Sequence, residues 1–223
     1  DYGAMGDGVH DDALAIWSAI SVAINAGPGN TVFLPAGTYY LYQSGSHPDS
    51  SWHFEIAGAT GLTVQGEDGT KLISGRKQRA FFRLLRSTDC SLKKIEMDRL
   101  PLRFTQGEIT SIENQAVIVS IDPGYIDPDD PLIMEDTDFL LNIFTLSDRE
   151  AYQEHGRPVI ESMTALGEGK WRFVLDRAPL TGWLGKKWVL RGHVEGAAFN
   201  IDDCSNILVE DVSWYYGGGC AFT

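Results

Sequence analysis

The sequence predicts an all-β chain whose strands stack as the coils of a solenoid, with a second β unit inserted between two coils. Three short β-prone segments, at residues 61–66, 90–97 and 205–214, carry apolar residues near every second position. The first two lie roughly 28–30 residues apart, which is the scale of one solenoid coil. The third follows about 115 residues later, which leaves an insert of roughly 85–90 residues.

The chain opens with the acidic, glycine-rich stretch DYGAMGDGVHDD at residues 1–12. Its glycines permit tight turns with positive φ, and its aspartates are typical caps of turns and helices. We therefore predict an architectural role. A calcium site at Asp7, Asp11 and Asp12 is the alternative, because hard cations prefer carboxylates, but a full ligand series is missing. The sequence predicts no bound metal and no cofactor.

A helix follows the opening stretch, and two strands follow the helix. Asp11 or Asp12 suits the N-cap, and Gly27 with Pro28 forms a strong stop, so the predicted helix covers roughly residues 12–26. β-rich runs at residues 31–34 and 38–42 then flank a turn. The apolar face of the helix has residues spaced by three or four: Ala13, Ile16, Trp17, Ile20 and Ile24.

The insert has strands of its own, which alternate at residues 107–112, 116–121, 170–175 and 187–191. They predict a small antiparallel β-barrel-like domain, and residues 146–154 suggest one or two helical turns. The resulting domains are residues 1–103, the cap and first coils; 104–191, the insert; and 192–223, a continuation of the solenoid. We expect this continuation to be incomplete at its C-terminal end.

The charge balance restricts the partners. The chain has 223 residues, with 18 basic and 31 acidic side chains and a net charge of −13. Nucleic acid is excluded as a partner because phosphate contacts need clustered Lys and Arg. An anionic polysaccharide would be repelled overall unless a local basic groove overrides the repulsion, so a neutral saccharide fits better. No apolar run predicts a membrane partner. Cys90, Cys204 and Cys220 lack metal-site spacing and are expected to be free thiols.

Residues 1–42 carry a first resemblance. DYGAMGDGVHDD, the amphipathic helix and TVFLPAGTYYL resemble the N-terminal cap of right-handed parallel β-helix carbohydrate enzymes of the pectate-lyase-like and polygalacturonase-like kinds. The resemblance implies a right-handed parallel β-helix with an N-terminal capping helix. It does not specify the activity, because many glycan-active enzymes and phage tailspikes share such a cap.

A second resemblance covers the insert and the coil after it. FTQGEITSIENQAVIVSIDPGYIDPDDP and HVEGAAFNIDDCSNILVEDVSWYYGGGCAFT are similar to glycoside hydrolase family 110. This implies an exo-α-galactosidase that removes terminal α-linked galactose by an inverting two-carboxylate mechanism. The family's catalytic motifs lie in coils beyond residue 223, so we expect this segment alone to be inactive and poorly soluble. Relatives of this kind imply a secreted, periplasmic or cell-surface protein.

The candidate site residues cluster near the C-terminal end of the sequence. Asp202, Asp203 and Asp211 are candidate catalytic carboxylates, although turn-capping or solvated aspartates explain them as well. Three candidate substrate-binding residues are aromatic, lie beside the glycines at 217–219, and would stack on sugar rings: Trp214, Tyr215 and Tyr216. The fourth candidate, His193, would bind a sugar hydroxyl.

Two other functions remain open. A polysaccharide lyase or polygalacturonase would use the same scaffold, and a lyase needs a basic proton acceptor, for which Lys93, Lys94 and Arg99 are candidates. A non-enzymatic, tailspike-like glycan-binding β-helix would form a homo-oligomer that covers its exposed edges.

Overall fold

The computed structural model describes residues 2–76, 79–102, 104–134, 140–144, 158–191 and 198–215. The chain divides into two compact units. The first comprises Asp1–Pro101 and Val194–Thr223, and the second comprises Leu102–His193. We call them the coil unit and the inserted unit.

The described elements are named in chain order. The helices are α1 (Ala13–Asn25), α2 (Pro131–Met134) and a short 3₁₀ helix (Thr181–Trp183). The strands are β1 (Asp7–Asp11), β2 (Thr31–Leu34), β3 (Gly37–Leu41), β4 (Trp52–Ala57), β5 (Thr63–Gly66), β6 (Thr70–Ser74), β7 (Ala80–Leu85), β8 (Ser91–Arg99), β9 (Phe104–Glu113), β10 (Ala116–Ile121), β11 (Leu140–Phe144), β12 (Ile160–Gly167), β13 (Lys170–Leu175), β14 (Lys187–Arg191), β15 (Phe199–Asp202) and β16 (Leu208–Trp214).

Successive turns of the coil unit pair in parallel. β2, β5, β8 and β16 pair in that order, within a seven-stranded sheet of the described strands that forms a parallel half-barrel. β4, β7 and β15 form a second parallel sheet. The predicted all-β class is confirmed. The right-handed parallel β-helix itself stays a prediction, and the parallel pairing is what such a fold requires.

The offsets between stacked positions agree with the spacing that the sequence predicts. The backbone N–H of Ala59 donates to Ser87 Oγ, 28 residues further on. The backbone N–H of Ser87 donates to Cys204 Sγ, 117 residues further on. Parallel strands need a long return of the chain, which accounts for the first offset, and the second is longer because the inserted unit lies between the two residues.

A bend divides the long strand β8 between two neighbours. Its first residues pair with β5 and its last residues pair with β6. Lys94, with a φ of 53°, lies at the bend. Asp211 occupies the equivalent place in β16, where the pairing with β8 skips one residue, and has a φ of 54°. The left-handed backbone therefore recurs from one coil to the next.

Helix α1 lies against the core of the coil unit through Ala13, Ile16 and Ile20, which are buried. Its bounds confirm the predicted helix. Asp12 occupies the N-cap position, but its side chain makes no capping hydrogen bond. The capping bond comes from Asp11, whose Oδ1 accepts the N–H of Ala13 at 3.2 Å.

The inserted unit is antiparallel, with the described strands in the order β11–β14–β9–β10–β13–β12. Among the described residues this is an open series with β11 and β12 at its ends, so barrel closure stays a prediction. The unit has a separate apolar core, and the predicted helical turns at residues 146–154 lie outside the described residues. The largest side chains of this core are Trp171, Phe173, Trp183 and Trp188.

Candidate functional site

A small cavity lies on the outward face of the coil unit, where β6, β8 and the end of β16 stack. Pairing aligns Lys71 with Glu96, and Ile73 with Asp98. Tyr215 extends the same ladder, because its N–H donates to the carbonyl of Met97 at 3.1 Å. Alternate residues of a strand share a face, so these side chains form two adjacent rows. The cavity has a volume of about 260 Å³ and is lined by Lys71, Ile73, Glu96, Asp98 and Tyr215.

Charge and aromatic surface combine in this cavity. Lys71 Nζ lies 3.1 Å from Glu96 Oε2, so one carboxylate has a cationic partner. Asp98 Oδ1 accepts the backbone N–H of Arg99 at 2.8 Å. Tyr215 is 66% exposed and offers its ring to solvent. An exposed ring beside hydrogen-bonding groups of both signs is suited to the apolar face and hydroxyls of a sugar.

The aromatic residues that the sequence predicts to bind substrate have different surroundings. Tyr215 lines the cavity. Trp214 packs against the core of the coil unit, and its Nε1 is buried without a hydrogen-bond partner among the described residues. This position favours packing over stacking on a sugar. Tyr216 and His193 lie outside the described residues.

The three candidate catalytic aspartates occupy three different local settings. Asp202 ends β15, and its Oδ2 lies 3.6 Å from Arg83 Nη2. Asp203 follows in a turn with a φ of 50°. Asp211 lies at the left-handed bend of β16. None of the three lines the cavity.

Lys71, Glu96 and Asp98 were missed as a group by the sequence interpretation. The alternation in TKLIS and SLKKIEMDR indicates that these side chains share faces of their own strands. It does not give the pairing of β6 with β8, which brings them together. Only the register supplies that information.

A buried Ser–His pair lies elsewhere in the coil unit and is structural. His53 Nδ1 lies 2.8 Å from the carbonyl of Gln43, and Nε2 lies 2.8 Å from Ser74 Oγ. Because a carbonyl only accepts, Nδ1 carries the proton and Nε2 accepts from the serine hydroxyl. Burial lowers the pKa of His53 to about 4. Both side chains are closed to solvent, so a substrate could not reach this serine.

The opening aspartates bind backbone N–H groups. Asp12 accepts from Met5 and Gly6 at 2.7 and 3.1 Å. Asp7 Oδ1 accepts from Val9 and His10, and these bonds lower the pKa of Asp7 to about 2. Their architectural role is thus directly visible. Among the residues that the structure describes, no group of three or more His, Cys, Asp and Glu side chains is placed to hold a metal.

Two of the three cysteines lie in the described part of the chain. Cys90 is buried and Cys204 is partly exposed, and both are free. Burial raises the pKa of the Cys90 thiol, so it is an inert rather than a reactive group.

None of the helices in the described part of the chain is long and apolar enough to cross a membrane.

Comparison with known proteins identifies a family match at the N-terminal end and relatives of part of the chain. Residues 1–59 match the family described as rhamnogalacturonase A/epimerase, pectate lyase-like. The mannuronan C5-epimerase AlgE4 of Azotobacter vinelandii is 42% identical over 79 residues, which are 35% of this chain and 14% of that protein. AlgE3 of the same organism is 40% identical over 79 residues, or 35% of this chain and 4% of that protein. These matches support a parallel β-helix, carbohydrate-active family.

The matched segments are short, and the matched proteins have different names. Plasmin and fibronectin-binding protein A of Streptococcus pneumoniae (strain ATCC BAA-255 / R6) is 54% identical over 41 residues, which are 18% of this chain and 6% of that protein. The chain thus matches only a small part of the length of its curated relatives. The matches name epimerases rather than α-galactosidases, so they do not support the specific resemblance to glycoside hydrolase family 110.

Proposed function

We propose that this chain is part of a carbohydrate-active enzyme built on a right-handed parallel β-helix. One observation carries the proposal. The cavity formed by Tyr215, Lys71, Glu96 and Asp98 lies on stacked parallel strands and offers a ring and charged groups to a sugar. The pectate-lyase-like match of residues 1–59 supports the same scaffold. The substrate is then a polysaccharide or oligosaccharide, and a location outside the cytoplasm is proposed with it.

Our first candidate activity is hydrolysis of terminal α-linked galactose with inversion. It is supported by the inserted antiparallel unit, which interrupts the coils between β8 and β15, and by the resemblance of that region to glycoside hydrolase family 110. Inversion needs two carboxyl groups about 6.5–9.5 Å apart. We assign Glu96 and Asp98 to sugar binding. We do not assign the catalytic pair to Asp202, Asp203 or Asp211.

Our second candidate activity is modification of a polyuronate, by C5 epimerisation or by lyase chemistry. The similarity to mannuronan C5-epimerases favours it. Both reactions begin with removal of the C5 proton beside a carboxylate, so they need a base and a cation that neutralises the carboxylate. The net charge of −13 means that such a substrate requires a locally basic site.

The test compares both activities on one preparation of the natural gene product that contains this chain, with its intact mass measured first. Release of galactose from p-nitrophenyl α-galactoside and from α-1,3-galactobiose would support the first candidate. Deuterium incorporation at C5 of polymannuronate or polygalacturonate, or ultraviolet absorbance of unsaturated uronates, would support the second. Glycan binding without any turnover would replace both candidates with the non-enzymatic, glycan-binding alternative.

A further inference from the structure

A pair of arginines follows the strand that lines the cavity. Arg76 and Arg79 lie in the connection between β6 and β7, and the backbone ladder that contains the cavity continues as far as Gly75. The N–H of Gly75 donates to the carbonyl of Leu41 at 2.9 Å, and the N–H of Leu100 donates to that of Ser74 at 3.1 Å. Arg76 therefore directly follows the end of this ladder, and both arginines belong to the coil unit.

Both guanidinium groups are held in place by neutral partners. Arg76 lies 4.1 Å above the centroid of the Tyr42 ring, and its Nε donates to the Tyr42 carbonyl at 3.4 Å. Arg79 Nη2 donates to the carbonyl of Pro48 at 2.6 Å. A carbonyl or an aromatic ring orients a guanidinium without cancelling its charge.

Four other cations of this unit are neutralised in a different way. Lys71, Arg83, Lys93 and Lys94 each have a carboxylate partner within 3.6 Å. In the described part of the chain, no ion pair is found for Arg76 or Arg79. The two arginines therefore lack a direct carboxylate contact among the described residues, and Asp11 and Asp49 act on the charge of Arg79 only from a greater distance.

Arg79 also has an unused donor. Its Nη1 is buried and has no hydrogen-bond partner among the described residues. Burial and the neighbouring charge of Arg76 lower the pKa of Arg79, which shows that the two guanidinium groups influence each other. A buried donor without an acceptor is costly, so an oxygen supplied by a ligand would stabilise this arrangement.

Two carboxylates lie near this pair. Asp11 accepts three backbone N–H groups, from Ala13, Tyr42 and Gln43, and Asp49 is exposed. Below the pair, Arg99 is only 3% exposed and its Nη1 donates to the carbonyl of Arg76 at 2.8 Å. Three arginines thus lie close together, and the two carboxylates near them form no ion pair with Arg76 or Arg79 in the part of the chain that the structure describes.

We propose that Arg76 and Arg79 form a binding site for an oxyanion carried by a glycan, either the carboxylate of a uronate or a sulfate ester. Guanidinium forks match the planar geometry of such groups and bind them through charge-assisted hydrogen bonds. The inference rests on the proposed glycan-active function. It adds the class of substrate, an acidic glycan, although the net negative charge of the chain would repel such a glycan elsewhere on the surface.

The test is direct binding, measured by titration calorimetry at low salt on the natural gene product that contains this chain. The probes are trigalacturonate, a sulfated galactobiose, neutral galactotriose and inorganic sulfate. We expect an acidic saccharide to bind more tightly than galactotriose and than inorganic sulfate. Arg76→Gln and Arg79→Gln should each weaken this binding by about tenfold or more, the usual loss for a charge-assisted bond. Arg79→Lys keeps the positive charge but lacks the two parallel N–H donors of a guanidinium. It should weaken the binding less than Arg79→Gln does.

Arg83→Gln is the matched control, because it removes the same charge from a guanidinium that already contacts Glu55 and Asp202. It should leave affinity within about twofold, since an ion-paired side chain is not available to a ligand. Thermal unfolding of each variant confirms folding. Equal affinity for all saccharides, equal affinity for inorganic sulfate, or the same affinity in the Arg76, Arg79 and Arg83 variants would each overturn the assignment. Turnover without acidic-saccharide binding would overturn this inference and leave the proposed function standing.

Discussion

The imidazole of His53 accepts a hydrogen bond from the hydroxyl of Ser74 across 2.8 Å, in the interior of the coil unit. The same ring donates from Nδ1 to the carbonyl of Gln43. One side chain thus joins β6 to the loop before β4. Both bonds require the neutral ring, because Nε2 must keep its lone pair.

This relationship predicts an acid-sensitive fold. The pKa of His53 is about 4 in the folded chain and near 6.5 when unfolded, so the unfolded state binds the extra proton between these values. Stability should be unaffected above pH 6.5 and should fall by about 3 kcal/mol as pH decreases to 4. Urea unfolding at several pH values measures this. His53→Gln should lower stability at pH 7 and should remove most of the pH dependence between 6.5 and 4.5. An unchanged slope in the variant would contradict the assignment.

The opening aspartates predict independence from calcium. The carboxylate of Asp12 is buried and accepts two backbone N–H groups, which leaves it no role that needs a cation. Chelation with EDTA should leave the melting temperature unchanged. Asp12→Asn should destabilise the chain by about 1–3 kcal/mol, since an amide cannot accept both bonds. Asp49→Asn, at an exposed carboxylate, is the control and should have little effect. A melting temperature that rises with calcium would contradict this prediction.

A ladder of phenylalanines predicts where the coils depend on packing. Phe82 lies between Phe54 and Phe199, with ring centroids 5.2 and 6.0 Å away. Phe82→Ala should cost about 3–5 kcal/mol, because it opens a cavity between stacked coils. The same substitution at Phe33, which is 54% exposed, should cost less than about 1 kcal/mol. Chemical denaturation compares the two. Similar losses would show that the stacked rings are not central to stability.

The cavity predicts a measurable role for one exposed ring. Tyr215→Ala should weaken binding of the glycan substrate by about three- to tenfold, the contribution expected of an aromatic contact. Tyr2→Ala removes a comparably exposed tyrosine of the same unit, away from this cavity, and should leave affinity unchanged. Glycan affinity measured by calorimetry decides this point. Equal affinity in the two variants would remove Tyr215 from the proposed site.

The candidate site shows where sequence interpretation succeeds and fails. Tyr215 could be nominated because an aromatic run beside glycines is recognisable locally. Lys71 and Glu96 could not, since they are distant in the sequence and meet only through the pairing of β6 with β8. The sequence also could not separate Tyr215 from Trp214, because adjacent residues of a strand face opposite sides and only the packing decides which side is the core.

The local patterns of the sequence alone determined helix α1, the β class and the spacing of the coils. Apolar periodicity and turn residues act over a few positions, so they can be read without knowing the neighbours. The tertiary structure decided which aspartate caps α1, which side chains share the cavity, and which arginines remain without a carboxylate partner in the described chain. Those outcomes depend on register and on contacts between distant coils. A shift of one residue in the pairing of β6 with β8 would place the cavity side chains of one strand opposite the wrong face of the other.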